Sequence, residues 1–146
     1  MNPLTLAQAD EIVTVALKTG RDRNFEPLTV VVLDAGGHPI VVKREDRSGI
    51  LRVDIATGKA WGALGMGFGS RELFGRAAKA PAFFTALAAA SQGRMVPVPG
   101  GVLIRDQEGT IIGAVGISGD ISDNDEICAV AGIEAAGLKA DPGVAS

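Results

Sequence analysis

The sequence predicts an α+β domain, an antiparallel β-sheet built from two hairpins with helices packed on it. Three observations lead there. Two apolar, β-branched stretches, "LTVVVLDAGGHPIVVKRED" and "GGVLIRDQEGTIIGAVGIS", each double back across a glycine-bearing turn. Segments with apolar residues at helical spacing lie before, between and after them. The order is then α, hairpin, several α, hairpin, α, and helices sharing one antiparallel sheet define this class.

Thr5-Leu6-Ala7-Gln8 reads as a capping box, with hydroxyl and amide satisfying the first free N–H groups. Ala9, Ile12, Val13, Ala16 and Leu17 follow on one face, and Gly20 is the expected stop, giving a helix over roughly residues 5 to 19. In the first hairpin, Leu28–Leu33 and Ile40–Val42 flank the turn Asp34-Ala35-Gly36-Gly37. The stretch from Ser48 to Gly67 carries Leu51, Ile55, Gly62 and Met66 on one side and Val53, Ala56, Ala60 and Ala63 on another. Two apolar stripes, with Gly58, Gly62 and Gly65 along them, predict a helix packed closely on more than one neighbour. Each interior glycine costs about 1 kcal/mol relative to alanine, and close approach is the compensation.

A short helix over 70–78 comes next, then Pro81 opens "PAFFTALAAAS", where proline suits a first helical turn. The second hairpin turns at Asp106-Gln107-Glu108-Gly109. Asp34, Gly37 and Ile40 match Asp106, Gly109 and Ile112 as D-x-x-G-x-x-I, which reads as two similar turns. Finally Ser122 or Asp123 is the expected cap of "DEICAVAGIEAAGLK", with Asp125 and Glu126 in the first turn, where carboxylates suit the positive helix end. Lys139 and the tail "ADPGVAS" are expected to end that helix.

A chain of 146 residues with no linker or low-complexity tract is one domain, 1–146, by length. Its net charge of −3 and lack of a basic cluster speak against nucleic acid or an anionic membrane as partner. No apolar run reaches the roughly 20 residues of a membrane span. The opening "MNPLTLAQADEIV" has Asp10 and Glu11 and no basic n-region, so a cytoplasmic location is expected. One cysteine, Cys128, excludes an internal disulfide, and with one histidine, His38, no metal site is expected. G-x-S-x-G, P-loop, Rossmann and H-E-x-x-H signatures are missing, which disfavours the enzymes that use them.

The candidate site residues gather around "VPVPGGV" and "GISGD". Pro97 and Pro99 fix an extended approach, after which Gly100 and Gly101 either present bare amides to a small ligand or form a rigid turn into a strand. Ser118-Gly119 can form an anion-binding nest beside the acidic helix start. Asp120, Asp123, Asp125 and Glu126 oppose a highly charged anion; they are solvated caps, cation holders or proton carriers. Lys59 either snorkels to water or lies buried with a lowered pKa, as an acid, base or carboxylate clamp. Arg44 marks a strand end, on the surface or as a second clamp. His38, in a tight turn, is exposed or serves as one axial haem ligand. Met66, Met95 and Cys128 read as core. The central expectation is that the Gly100 and Gly101 amides, with Lys59 nearby, receive a compact guest.

The ordered series "LTLAQADEIV", "VVLDAGGHPIVVKRED", "DIATGKA", "VPVPGGVLIRDQEGTIIGAVGISGD" and "DNDEICAVAGIEA" resembles the GlcG/HbpS family over nearly the whole chain. That haem-degrading or haem-binding domain is also the C-terminal part of PduO-type corrinoid adenosyltransferases. The resemblance implies a profilin-like fold, a homo-oligomer (an octamer or its tetramer or dimer units) and haem or a related tetrapyrrole as ligand. Trp61 and "LGMGFGSRELFGRAAKAPAFF" depart from many relatives and imply a pocket particular to this member. The leading expectation is a cytoplasmic, oligomeric small-ligand-binding protein. One alternative is a small isomerase, hydratase or lyase acting on a carbonyl or carboxylate metabolite. In it Gly100 and Gly101 stabilise an oxyanion, Lys59 or Arg44 clamps a carboxylate, and Asp125 or Glu126 moves a proton. The other is a non-catalytic accessory subunit, suggested by helices with more than one apolar face.

Overall fold

The computed structural model describes residues 3–145. Along the chain come α1 (Leu6–Asp22), β1 (Thr29–Asp34), β2 (Pro39–Arg44), α2 (Arg52–Met66), α3 (Ser70–Lys79) and α4 (Pro81–Ala90). There follow β3 (Gly101–Arg105), β4 (Ile111–Ser118), α5 (Ser122–Ala135) and β5 (Lys139–Asp141). The strands form one antiparallel sheet in the order β2-β1-β4-β3-β5. The two hairpins join through β1 and β4, from Thr29 opposite Ser118 to Asp34 opposite Gly113. Their shared motif is turn chemistry. Asp34 Oδ1 accepts the Gly36 and His38 amides, and Asp106 Oδ1 accepts those of Glu108 and Thr110.

Alternation along β1 divides the core. Val30 and Val32 face α1 and α5 and join Ile12, Val13, Ile117 and Ile133, whereas Val31 and Leu33 face α2 and meet Ala56, Ala60 and Ala63. The small residues of α2 let it lie directly on the sheet. A Cβ on Gly116 of β4 would strike the Ala56 carbonyl, and one on Gly58 would strike the 94–96 backbone segment on its other side. The expected close packing of this helix on two neighbours is therefore present at Gly58 and Gly62, whereas Gly65 faces open space and its lack of a side chain serves no close approach.

Three element boundaries differ from the sequence expectation. Gly20 does not stop α1; it is buried under Leu28 and Cys128, and the helix continues to Asp22 before Asn24 takes a left-handed conformation. Neither Ser122 nor Asp123 caps α5. Its N-cap is Ile121, whose amide is held by the Asp120 carboxylate. Lys139 does not end that helix either. The chain leaves it at Ala135, Gly137 turns it with φ of 77°, and residues 139–141 add β5 to the edge of β3.

Candidate functional site

The sheet and α2 bring Lys59 and Asp125 together in the interior. The Lys59 side chain is 3% exposed and that of Asp125 is 1% exposed. Lys59 Nζ donates to Asp125 Oδ2 at 3.0 Å and to the Ile117 carbonyl at 2.9 Å. Asp125 Oδ1 accepts the Asp120 amide at 3.0 Å, so both carboxylate oxygens are engaged. Burial pulls the Lys59 pKa down and pushes the Asp125 pKa up, each against the opposing attraction of its partner.

Gly100 and Gly101 do touch this pair. A Cβ on Gly100, whose φ is 118°, would sit 2.9 Å from Lys59 Nζ, and one on Gly101 would strike the Lys59 backbone. Yet the Gly101 amide is not open to a ligand. The Gly101 N–H donates to Ser70 Oγ at 2.7 Å, and the residue opens β3 opposite Gly116. The Gly100 carbonyl accepts the Ile117 amide at 3.0 Å. A buried amide takes a partner wherever one is in reach, and the fully buried Ser70 at the start of α3 provides it. The missing side chains make room for Lys59 itself.

The other candidates scatter. Glu126 takes Arg71 Nε on both oxygens, at 2.9 and 3.1 Å, and Arg71 also pairs with Asp123. This clamp between α3 and α5 borders a cleft of about 310 Å³ with Phe74, Val98, Pro99 and Ile121. Ser118 forms no open nest. It is fully buried, and its Oγ accepts Arg52 Nη1 at 3.0 Å. Gly119 packs on the backbone of Pro27 and Leu28. Arg44 ends β2 opposite Thr29 and lines a cleft of about 410 Å³ with Arg21, Glu45 and Arg47, apart from the Lys59 pair. His38 lies beyond the opposite end of β2. Its side chain is 79% exposed, with Nδ1 3.4 Å from Asp34 Oδ1. It borders a groove of about 270 Å³ whose apolar wall is Leu4, Ala35 and Ile112. The His38 amide is the main reason the Asp34 carboxyl lies below its ordinary pKa.

The sequence profile described as "Haem degrading protein HbpS-like" matches residues 4–134. The chain belongs to the HbpS-like family. No curated protein sequence matches it. Among solved structures it is similar to PduOC in complex with haem, at 26% identity and a TM-score of 0.84, over 94% of this chain and 97% of that one. Klebsiella pneumoniae protein ORFY gives 26% identity and a TM-score of 0.84, over 94% and 92% respectively. A double mutant of Streptomyces reticuli HbpS gives 26% and 0.79, over 92% and 88%. In this HbpS-like chain the matched span takes in both hairpins, Lys59 and Asp125, and leaves β5 outside. Three site-shaping residues had no sequence signal: Ser70, Arg71 and Arg52. Their partners Gly101, Glu126 and Ser118 lie 31, 55 and 66 residues away, beyond any local pattern. Among the described residues no helix is long and apolar enough to cross a membrane.

Proposed function

We propose that this HbpS-like chain is a small-ligand-binding protein whose ligand is haem or a related tetrapyrrole, acting in the cytoplasm as a homo-oligomer. The observation that carries this reading is the likeness to the PduOC–haem complex, at a TM-score of 0.84 over 94% of the chain. The donor set fits. Asp34 Oδ1 lies 3.4 Å from His38 Nδ1, and an imidazole oriented by a carboxylate on one nitrogen offers the other to a metal. The ring is largely exposed beside an apolar wall of Leu4, Ala35 and Ile112, against which a flat macrocycle can rest. His38 would hold the iron; bound haem supplies redox and oxygen chemistry that no side chain here offers.

The metabolite-enzyme reading has less support. Of its oxyanion donors Gly100 and Gly101, the Gly101 amide is taken by Ser70, and its proton carriers Asp125 and Glu126 are paired with Lys59 and Arg71. Assembly is favoured by α4, a ten-residue apolar helix none of whose residues is buried. A helix that short is marginal in water without a packing partner, and a second copy is the partner proposed. The cytoplasm suits a chain with one thiol and no disulfide.

The test is haemin titration of the purified protein. A saturating Soret shift at one haem per chain is expected, changed in position or lost in His38→Ala. No shift with wild-type protein overturns the haem reading; a shift identical in His38→Ala removes His38 as the ligand.

A further inference from the structure

A further cleft, of about 500 Å³, lies on the face of the sheet that α2 covers. Its floor is one side of α2, where Asp54, Thr57, Gly58 and Trp61 fall at i, i+3, i+4 and i+7 and so share a face. Gly37 of the β1–β2 turn closes one end, and a Cβ there would come within 3.1 Å of Trp61 Cδ1. Gly93 and Arg94 close the other. The His38 groove is separate. Its Leu4 and Ile112 belong to the core on the α1 and α5 side, while Trp61 packs against the core under α2.

Arg94 is the notable group in this cleft. Its guanidinium carbon lies over the Trp61 ring, 3.9 Å from the ring centre, a cation–π contact. Two consecutive left-handed residues, Gln92 (φ 57°) and Gly93 (φ 76°), turn the chain so that the arginine folds back over the indole. Val96 N donates to the Gly58 carbonyl at 3.2 Å and pins the segment to α2. Only Nε is occupied, donating to the Ser91 carbonyl at 3.2 Å; among the described residues no carboxylate pairs with this guanidinium. Among the described residues Nη1 and Nη2 donate to no protein group, and these are the two ends of a fork that receives a carboxylate in two parallel hydrogen bonds. The wall beside it is aromatic, and Asp54 adds an exposed acceptor that disfavours a second negative charge.

We propose that the Trp61–Arg94 cleft binds a flat aromatic monocarboxylate bearing a hydroxyl or amino donor. The carboxylate takes the Arg94 fork, the ring lies along the indole, and the donor reaches Asp54. This site is separate from the His38 groove and stands whether or not haem binds there.

The chain reports on the cleft by itself, because Trp61 is its one tryptophan and it has no tyrosine. With 4-hydroxybenzoate as probe, tryptophan emission should change saturably, with a matching calorimetric isotherm. Arg94→Gln, an exposed substitution that leaves the fold intact by circular dichroism, should weaken binding by about tenfold or more through loss of the charge-assisted fork. 4-Hydroxycyclohexanecarboxylate, without the aromatic ring, and 4-hydroxybenzamide, without the charge, should each bind about tenfold more weakly than 4-hydroxybenzoate. No saturable emission change and no isotherm with the wild type overturns the proposal. So does equal affinity for Arg94→Gln, or for either control compound.

Discussion

Lys59 and Asp125 show what a buried charge demands of its surroundings. Each is out of water, each has every near partner in use, and desolvation outweighs their mutual attraction in both pKa shifts. Asp125→Ala, which strands the ammonium, should cost about 3–5 kcal/mol in urea denaturation, whereas Lys59→Met with Asp125→Leu should be about as stable as wild type at pH 7. The signs of the shifts agree. The raised Asp125 pKa gives stability below the ordinary carboxyl range that is lost as pH rises through the folded value. The lowered Lys59 pKa gives stability above the ordinary lysine value of 10.5 that is lost as pH falls through the folded value. Both shifts therefore oppose the charged forms, and burial weakens what the ion pair contributes between the two folded values. Cys128 makes a second case. Burial is the main cause that pushes its thiol from 9.0 up to about 11, so the native state holds that proton more tightly than the unfolded chain. Wild-type stability should fall by about 2 kcal/mol between pH 9 and 11 relative to Cys128→Ala, read from parallel denaturation curves. The sequence made Cys128 a buried small residue and offered burial as one of two fates for Lys59. It could not name Asp125 as the partner, 66 residues away.

Among the elements, the pairing of α2 with β4 depends on what their facing residues lack. Gly116 lies under the Ala56 carbonyl, so a methyl there forces the helix off the sheet. Gly116→Ala should lower stability by about 3 kcal/mol, measured as a shift of the urea midpoint, and Gly109→Ala serves as a contrast because it adds backbone strain alone at an open turn. Both hairpins were legible because alternation and Asp-x-x-Gly turns are local signals. The strand β5 was not: Lys139, Ala140 and Asp141 carry no β-branched residue. They pair because β3 offers an open edge and Arg105 reaches Asp141 at 3.0 Å. The N-cap of α5 was misplaced for a similar reason, since Asp120, two residues before the expected pair, holds the Ile121 amide and also binds Asn124 and Glu26.

At the scale of the molecule, the unfinished part is the α3–α4 projection. Phe74 is 52% exposed and Phe83 54%, and α4 packs on little besides α3. If a second copy covers this face, the protein should run well above its 14.9 kDa chain mass in light scattering, and Phe83→Glu should move it towards the monomer with the helices of the chain retained. A monomeric wild type overturns the assembly proposal. The sequence by itself determined the α+β class, the two hairpins, the capping box of α1 and the family, because periodicity, turn residues and ordered motifs act over a few neighbours. Tertiary structure alone decided that the Gly101 amide is satisfied by Ser70, that Lys59 meets Asp125, and that Leu4 and Ile112 of the His38 groove join one core while Trp61 joins the other. Those outcomes depend on which distant groups folding brings within about 3 Å, the range of a hydrogen bond, and no local pattern encodes that distance.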